Sequence, residues 1–145
     1  VSSTLMKVDI PMLKQASESV VHARVERMES TWNAQRTMIF TTVTLDVIRT
    51  LHGKPVGQVR VRVPGGTVDG YTIEMAGAPK FVTDNAVVAF INRWDDGTPK
   101  VAGYYQGVSQ VVLDSLGNRV LHGGAANGLS MAQLAKQMGG QGGGQ

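Results

Sequence analysis

The side chains that could bind a metal ion are few and scattered along the chain. His22, His52 and His122 are the only histidines, and no pair of them has the short spacing of metal ligands. The chain has no cysteine, which excludes disulfides, thiolate zinc sites and cysteine nucleophiles. The sequence therefore predicts no metal site.

Residues suited to acid–base, nucleophilic or phosphate chemistry also lack the required context. Asp95 and Asp96 are adjacent carboxylates, but they precede Gly97 in a polar stretch typical of a turn. No serine lies in a nucleophile-elbow sequence. Gly65 and Gly66 are followed by neither a lysine nor a helix start, so we do not expect them to bind phosphate. We predict no catalytic residue and no cofactor, and we expect the protein not to be an enzyme.

Arginine and aromatic side chains are the remaining candidates for recognition. Arg60 and Arg62 occupy outward positions of a predicted strand, where they form either a solvated face or, with Tyr71 or Trp32, a basic stacking surface. Trp32 and Trp94 lie in predicted polar loops, where each either contacts a partner or folds back on the protein. These five residues are our candidate contact residues.

The stretch 59–91 is the part of the chain that must position them. It begins with valines alternating with polar residues, which indicates a strand with one buried face. Asp69-Gly70 predicts a tight hairpin, and the apolar run 87–91 predicts a strand buried on both faces. The predicted corners between these strands are Pro64, Gly65, Gly66, Gly77 and Pro79.

Helices are predicted only near the two ends of the chain. Asp9 is a suitable cap for a helix reaching about Ser19, with an apolar stripe formed by Met12, Leu13 and Ala16. Ser130 and Gln133 form a capping box at the start of a second helix. We expect one domain over residues 1–138 and a glycine-rich tail over 139–145.

The remaining segments favour strands. Residues 37–50 are rich in β-branched side chains, and residues 101–105 and 108–113 indicate a strand interrupted at Gly107 by a bulge. Many short strands with helices only at the ends predict a mainly β fold. We expect a small antiparallel OB-like barrel with a short N-terminal helix and a C-terminal helix.

The composition limits the classes of partner that we expect for this protein. The net charge is +3, from 14 basic and 11 acidic residues, which is far from the concentrated positive charge of a dedicated nucleic-acid binder. We therefore do not expect nucleic acid as the main partner. No apolar run reaches the ~18 residues of a membrane span. The chain opens at Val1 rather than methionine. We interpret this as the result of signal-peptide removal, which favours export.

Several stretches resemble small exported, largely uncharacterised bacterial proteins. The resemblance covers about residues 5–138 and is carried by S-V-V-H-A-R-V at 19–25, T-T-V-T-L-D-V-I-R-T-L-H-G at 41–53, V-R-V-P-G-G-T-V-D-G at 61–70, A-G-A-P-K-F at 76–81, V-V-A-F-I at 87–91 and Q-G-V-S-Q-V-V at 106–112. It implies a secreted or periplasmic location in a bacterium.

The expected strand order is also similar, at the level of fold, to the OB barrels of netrin modules and tissue inhibitors of metalloproteinases. Tissue inhibitors chelate the target's zinc with an N-terminal cysteine. This chain begins with Val1 and lacks cysteine, so that mechanism does not carry over.

These observations favour a non-catalytic, exported protein-binding module that acts through its barrel loops, with a peptidase as one candidate partner. The first alternative is a self-assembling extracellular structural subunit that pairs through its terminal segments. The second alternative is nucleic-acid or oligosaccharide binding on a basic barrel face.

Overall fold

A seven-stranded antiparallel sheet and a separate two-stranded hairpin form the fold, with one helix near each end of the chain. The computed structural model describes residues 7–139. The elements are α1 (Ile10–Ala16), β1 (Ser19–Trp32), β2 (Ile39–His52), β3 (Gln58–Pro64), β4 (Gly66–Val68), β5 (Tyr71–Ile73), β6 (Ala86–Arg93), β7 (Pro99–Val101), a 3-10 turn (Tyr104–Gly107), β8 (Val108–Leu113), β9 (Arg119–His122) and α2 (Met131–Gly139). The first six residues and the tail beyond Gly139, including the predicted pairing through terminal segments, lie outside the described residues.

The strands of the large sheet follow the order β3-β2-β1-β6-β8-β9, and β7 also pairs with β6. β1 is central because it pairs with β2 from Val20 to Trp32 and with β6 through its first six residues. Its register with β2 shifts at three places, between Val20 and Val21, between His22 and Ala23, and between Val25 and Arg27. Such bulges bend and twist a strand, which lets the sheet curl.

The sheet is not closed into a barrel. β3 and β7 are the strands that would have to pair for closure, and no strand pairing joins them. β7 has three residues and begins at Pro99, which has no N–H to donate to a neighbouring strand. The prediction of a mainly β fold with a helix near each end is confirmed, whereas the antiparallel sheet does not close into the predicted OB-like barrel.

Hydrophobic side chains pack on both faces of the sheet. One face carries a core formed mainly by alternate residues of β1, β2, β3 and β6. The other face is covered by α1 and α2, and Leu121 of β9 belongs to the core beneath them. β6 contributes to both cores, because Val87, Ala89 and Ile91 point to the first and Val88 and Phe90 to the second. The predicted burial of this strand on both faces is confirmed, and each of its buried valine, isoleucine and phenylalanine side chains contributes about 1.5–3 kcal/mol.

The helices begin as predicted but differ in detail. Asp9 caps α1, its Oδ1 accepting a hydrogen bond from the Met12 backbone N–H at 2.9 Å. The predicted stripe is partly wrong, because α1 buries Ile10 and Leu13 while Met12 is exposed. At α2 the capping box is confirmed by two reciprocal hydrogen bonds between Ser130 and Gln133, of 2.8 and 3.0 Å.

β7 and β8 lie on the same edge of β6, as two parts of one interrupted strand. The predicted strand 101–105 and bulge are wrong, since the interruption is a 3-10 turn over Tyr104–Gly107. The turn closes so tightly that a Cβ on Gly107 would overlap the carbonyl of Ala102. Only glycine fits where the chain rejoins the edge of β6.

We expect Gly107→Ala to lower the free energy of unfolding by about 1–3 kcal/mol, the usual cost of forcing atoms into a packed site. Gly57→Ala is the matched control, because a Cβ there meets no atom within 4 Å. That variant should stay within about 1 kcal/mol of the wild type. Urea unfolding of the three proteins measures the difference, and equal stabilities for the two variants would contradict the packing argument.

Candidate functional site

Trp94 bridges the gap between β3 (Gln58–Pro64) and β7 (Pro99–Val101), which we call the seam. The residue follows β6 in the hairpin that leads to β7. Its indole Nε1 donates a hydrogen bond of 2.9 Å to the backbone carbonyl of Arg62. A side chain therefore supplies a contact that strand pairing would supply in a closed barrel.

The register of β3 shows which backbone groups face the seam. Gly57 and Gly65 flank the strand, and each makes a backbone hydrogen bond to β2. In an antiparallel ladder the residues alternate between facing and not facing the partner strand. The N–H and C=O groups of Gln58, Arg60 and Arg62 therefore point away from β2 and into the seam.

Arg62 is held at the seam by aromatic and ionic contacts. Its guanidinium lies 5.3 Å from the centre of the Phe40 ring and 5.5 Å from that of Trp94. Its Nη1 lies 2.9 Å from Asp96 Oδ2. Its Nε is buried and has no hydrogen-bond partner within residues 7–139. The structure thus places Arg62 and Trp94, two predicted contact residues, in one contact that holds the hairpin against β3.

Asp96 is the acidic member of this contact. The Thr98 backbone N–H donates to its Oδ1 at 3.0 Å. This hydrogen bond, followed by the one from the Arg62 guanidinium, lowers the pKa of the Asp96 carboxyl from 3.8 to about 2. The carboxylate therefore stays charged, and paired with Arg62, throughout the neutral and mildly acidic range.

This depressed pKa predicts an acid-induced loosening of the seam. Because the pKa of Asp96 is 3.8 when unperturbed and about 2 in the folded protein, the stabilisation is complete above the first value and is lost as the pH falls toward the second. The Trp94 indole N–H resonance of the folded wild type should shift as the pH falls through about 2, where the Asp96 carboxyl becomes protonated. The shift should disappear in Asp96→Asn and persist in the control Asp95→Asn. The same titration in all three proteins would contradict the assignment.

Trp32, Tyr71 and Arg36 form a second cluster, which we call the aromatic cluster. Trp32 ends β1 and Tyr71 begins β5, and their ring centres are 5.8 Å apart in an edge-on arrangement with an interplanar angle of 63°. The Arg36 guanidinium lies 5.2 Å from the centre of the Trp32 ring. Trp32 Nε1 is buried without a hydrogen-bond partner in the described part of the chain. Tyr71 is 64% exposed, so the cluster presents an aromatic edge to solvent.

A groove of about 290 Å³ lies next to this cluster, between the β4–β5 hairpin and the segment that follows it. We call it the β4–β5 groove. Its walls include Met28, Met75, Pro79 and Phe81. β5 joins the two features, since Tyr71 contributes to the aromatic cluster and the next residues line the groove.

The floor of the groove depends on the corner after β3. The Ser30 and Thr41 hydroxyls are 2.8 Å apart, and Thr41 donates a hydrogen bond of 2.7 Å to the Gly65 carbonyl. A Cβ on Gly66 would crowd both hydroxyls, and the φ of this residue, 143°, disfavours a side chain. Glycine at position 66 therefore allows β4 to lie directly over β1 and β2.

Arg60 stands apart from both clusters. It is exposed on β3, and no carboxylate pairs with it among residues 7–139. The structure thus divides the five candidate contact residues into Trp32 with Tyr71, Arg62 with Trp94, and Arg60 alone. The corners Pro64, Gly65, Gly66 and Pro79 line the β4–β5 groove, and Gly77 lies in the loop beside it with a φ of 80°.

The histidines do not come together with acidic side chains as metal ligands within the described residues. No group of three or more histidine, aspartate or glutamate side chains within the described residues could hold a metal ion. His22 is buried in the sheet, and this burial lowers the pKa of its imidazole, with Arg119 and Arg49 adding to the effect. His22 is therefore favoured in its neutral form inside the folded protein.

Sequence reasoning missed the residues that complete these clusters. Met28 was missed because the register shift between Val25 and Arg27 changes which residues of β1 face outward. Met75 lies beyond the end of β5, so the alternation of side chains along a strand does not indicate which way Met75 faces. Asp96 carried a signal as a turn residue, but its pairing with Arg62 joins positions 34 residues apart.

No protein-family model, curated protein or solved structure matches the chain. Neither α1 nor α2 is long and apolar enough to cross a membrane, and the described residues contain no other α-helix.

Proposed function

We propose that this protein is a non-catalytic protein-binding module whose contact surface is the β4–β5 groove together with the aromatic cluster. The observation that carries the proposal is the exposure of large apolar side chains around one concave feature. Tyr71 is 64% exposed, Met75 48% and Met28 37%. Exposed apolar side chains grouped in this way are typical of interaction sites.

The chemistry of these side chains suits a protein partner. Methionine is flexible and polarizable, so Met28 and Met75 can adapt to the shape of a partner's side chain. Trp32 and Tyr71 provide rigid aromatic area of the kind that dominates binding energy in protein interfaces. Pro79 and Phe81 are buried in the groove wall and give it a fixed apolar surface.

The charges disfavour the alternative of nucleic-acid binding on a basic face. Arg24 lies 3.2 Å from Asp46 and 2.8 Å from Asp84, and Arg62 lies 2.9 Å from Asp96. Carboxylates of the same chain therefore offset the positive charge of two outward arginines. Binding to a phosphate backbone requires cations that are available to neutralise it.

A secreted or periplasmic location, with a peptidase as one candidate partner, belongs to the same proposal and is supported by the sequence resemblance to exported bacterial proteins. Fractionation of the source cells tests the location separately, and recovery from the cytosol alone would contradict it.

The binding surface is tested by selecting displayed peptides against the immobilised wild-type protein. We expect enrichment of peptides with aromatic and aliphatic residues. Their affinity should fall about tenfold or more in Tyr71→Ser and in Met75→Ser, because truncating a central apolar contact costs about 2 kcal/mol or more. Thermal unfolding of each variant shows whether it remains folded.

Leu116→Ser is the matched control. Leu116 is 83% exposed and lies between β8 and β9, at the other edge of the sheet. Its substitution removes an exposed apolar side chain outside the proposed surface, so peptide affinity should not change. Failure to enrich any peptide, or equal affinities for wild type, Tyr71→Ser and Met75→Ser, would contradict the proposed function.

A further inference from the structure

The end of the seam beyond Trp94 leaves the edge of β3 open. The backbone N–H and C=O groups of Gln58 and Arg60 face the seam, and no strand within residues 7–139 forms a ladder with β3 on this edge. The Arg62 carbonyl, at the other end of the strand, receives a hydrogen bond from the Trp94 indole across the seam. An open edge of this kind can pair with an extended chain from another molecule.

A cavity of about 670 Å³ opens beside this free edge, and we call it the seam mouth. Val56, Val59 and Ile91 are its apolar lining residues, and Pro55 and Pro99 flank them. Val59 and Ile91 belong to the core between the curled parts of the sheet. The mouth therefore combines unpaired backbone groups with an apolar recess large enough for a side chain.

The charged residues at the mouth are mostly basic. Lys54, Arg60 and Arg93 are the cations, and Glu18 is the only carboxylate in the lining. The charge of Glu18 is offset by an ion pair, because its Oε1 lies 2.9 Å from Arg93 Nη2. Lys54 and Arg60 are exposed and have no ion-pair partner in the part of the chain that the structure describes. The positive charge left over is complementary to an acidic ligand.

We propose that the seam mouth binds an extended acidic segment of a partner protein, which adds as a strand to the free edge of β3. The backbone of this segment pairs with Gln58 and Arg60. One of its side chains enters the recess between Val56, Val59 and Ile91, and its carboxylates lie near Lys54 and Arg60. This site shares no lining residue with the β4–β5 groove and does not depend on the function proposed for that groove.

A second copy of this chain is a poor occupant. The two end segments that lie outside the described residues, 1–6 and 140–145, contain no aspartate or glutamate. Their addition to β3 would leave Lys54 and Arg60 without carboxylates. Charge complementarity therefore favours a segment of a different protein.

A fluorescein-labelled octapeptide of alternating glutamate and valine is the probe, and fluorescence anisotropy measures its binding. We expect the wild type to bind it more tightly than a matched peptide of alternating lysine and valine. The affinity should fall about tenfold or more in Arg60→Glu and in Lys54→Glu, and it should weaken as salt is added. Arg119→Glu, an exposed charge reversal on β9, is the control and should bind as the wild type does.

Two N-methylated forms of the acidic peptide test the strand pairing itself. One carries the methyl groups on its glutamates and the other on its valines, so each loses the N–H donors on one edge. Pairing with β3 uses one edge of the peptide, so one form should keep its affinity and the other should lose it about tenfold or more. Equal affinity of the two forms would overturn strand addition. Equal affinity for the acidic and basic peptides, no binding of the acidic peptide, or an unchanged affinity in Arg60→Glu would overturn the proposal as a whole.

Discussion

The structure depends on how the backbone groups on the outer edge of β3 are bonded without a neighbouring strand. β7 is short because the 3-10 turn soon follows it, and its first residue, Pro99, has no N–H to donate. A ladder of hydrogen bonds between β7 and β3 therefore does not form across the seam. The indole N–H of Trp94 takes its place at the Arg62 carbonyl, 2.9 Å away. A hydrogen bond of this kind contributes about 0.5–1.5 kcal/mol, and the Arg62 contacts with two aromatic rings add to it.

The two candidate surfaces follow from this arrangement. β3 ends at the Gly65-Gly66 corner, where the chain turns over β1 and β2 to form the hairpin that borders the β4–β5 groove. At its other end β3 begins beside the seam mouth, where the chain enters from the loop at residues 53–57. One strand thus positions an apolar groove at its end and an open, basic edge at its start. The hydrogen bond from Trp94 to the Arg62 carbonyl lies between the two surfaces along β3.

Local patterns in the sequence predicted the elements whose causes are local. Asp69-Gly70 forms the predicted tight turn, with φ values of 51° and 83°, because the flanking residues alternate and glycine accepts a positive φ. The capping box of Ser130 and Gln133 likewise needs only residues three positions apart. The continuous apolar run of β6 predicted burial on both faces.

Features with distant causes could not be predicted in this way. The sequence is compatible with Trp94 as a contact residue or as one that folds back, because its partner at Arg62 is 32 residues away. The register shifts of β1, which place Met28 on the same face of the sheet as Val43, have no local signature. Failure of the sheet to close could not be read from strand patterns either, since it depends on the short β7 meeting the edge of β3 in space.

Amide hydrogen exchange of the isolated protein tests the central claim, that a side chain rather than a strand ladder spans the seam. The amides of Gln58 and Arg60 face the seam, so they should exchange at rates close to those of an unstructured peptide, whereas the amides of Val59 and Val61 should be strongly protected. The Trp94 indole N–H should be protected as well. Protection of the Arg60 amide equal to that of Val61 would show that β3 is paired on both edges and would contradict this account.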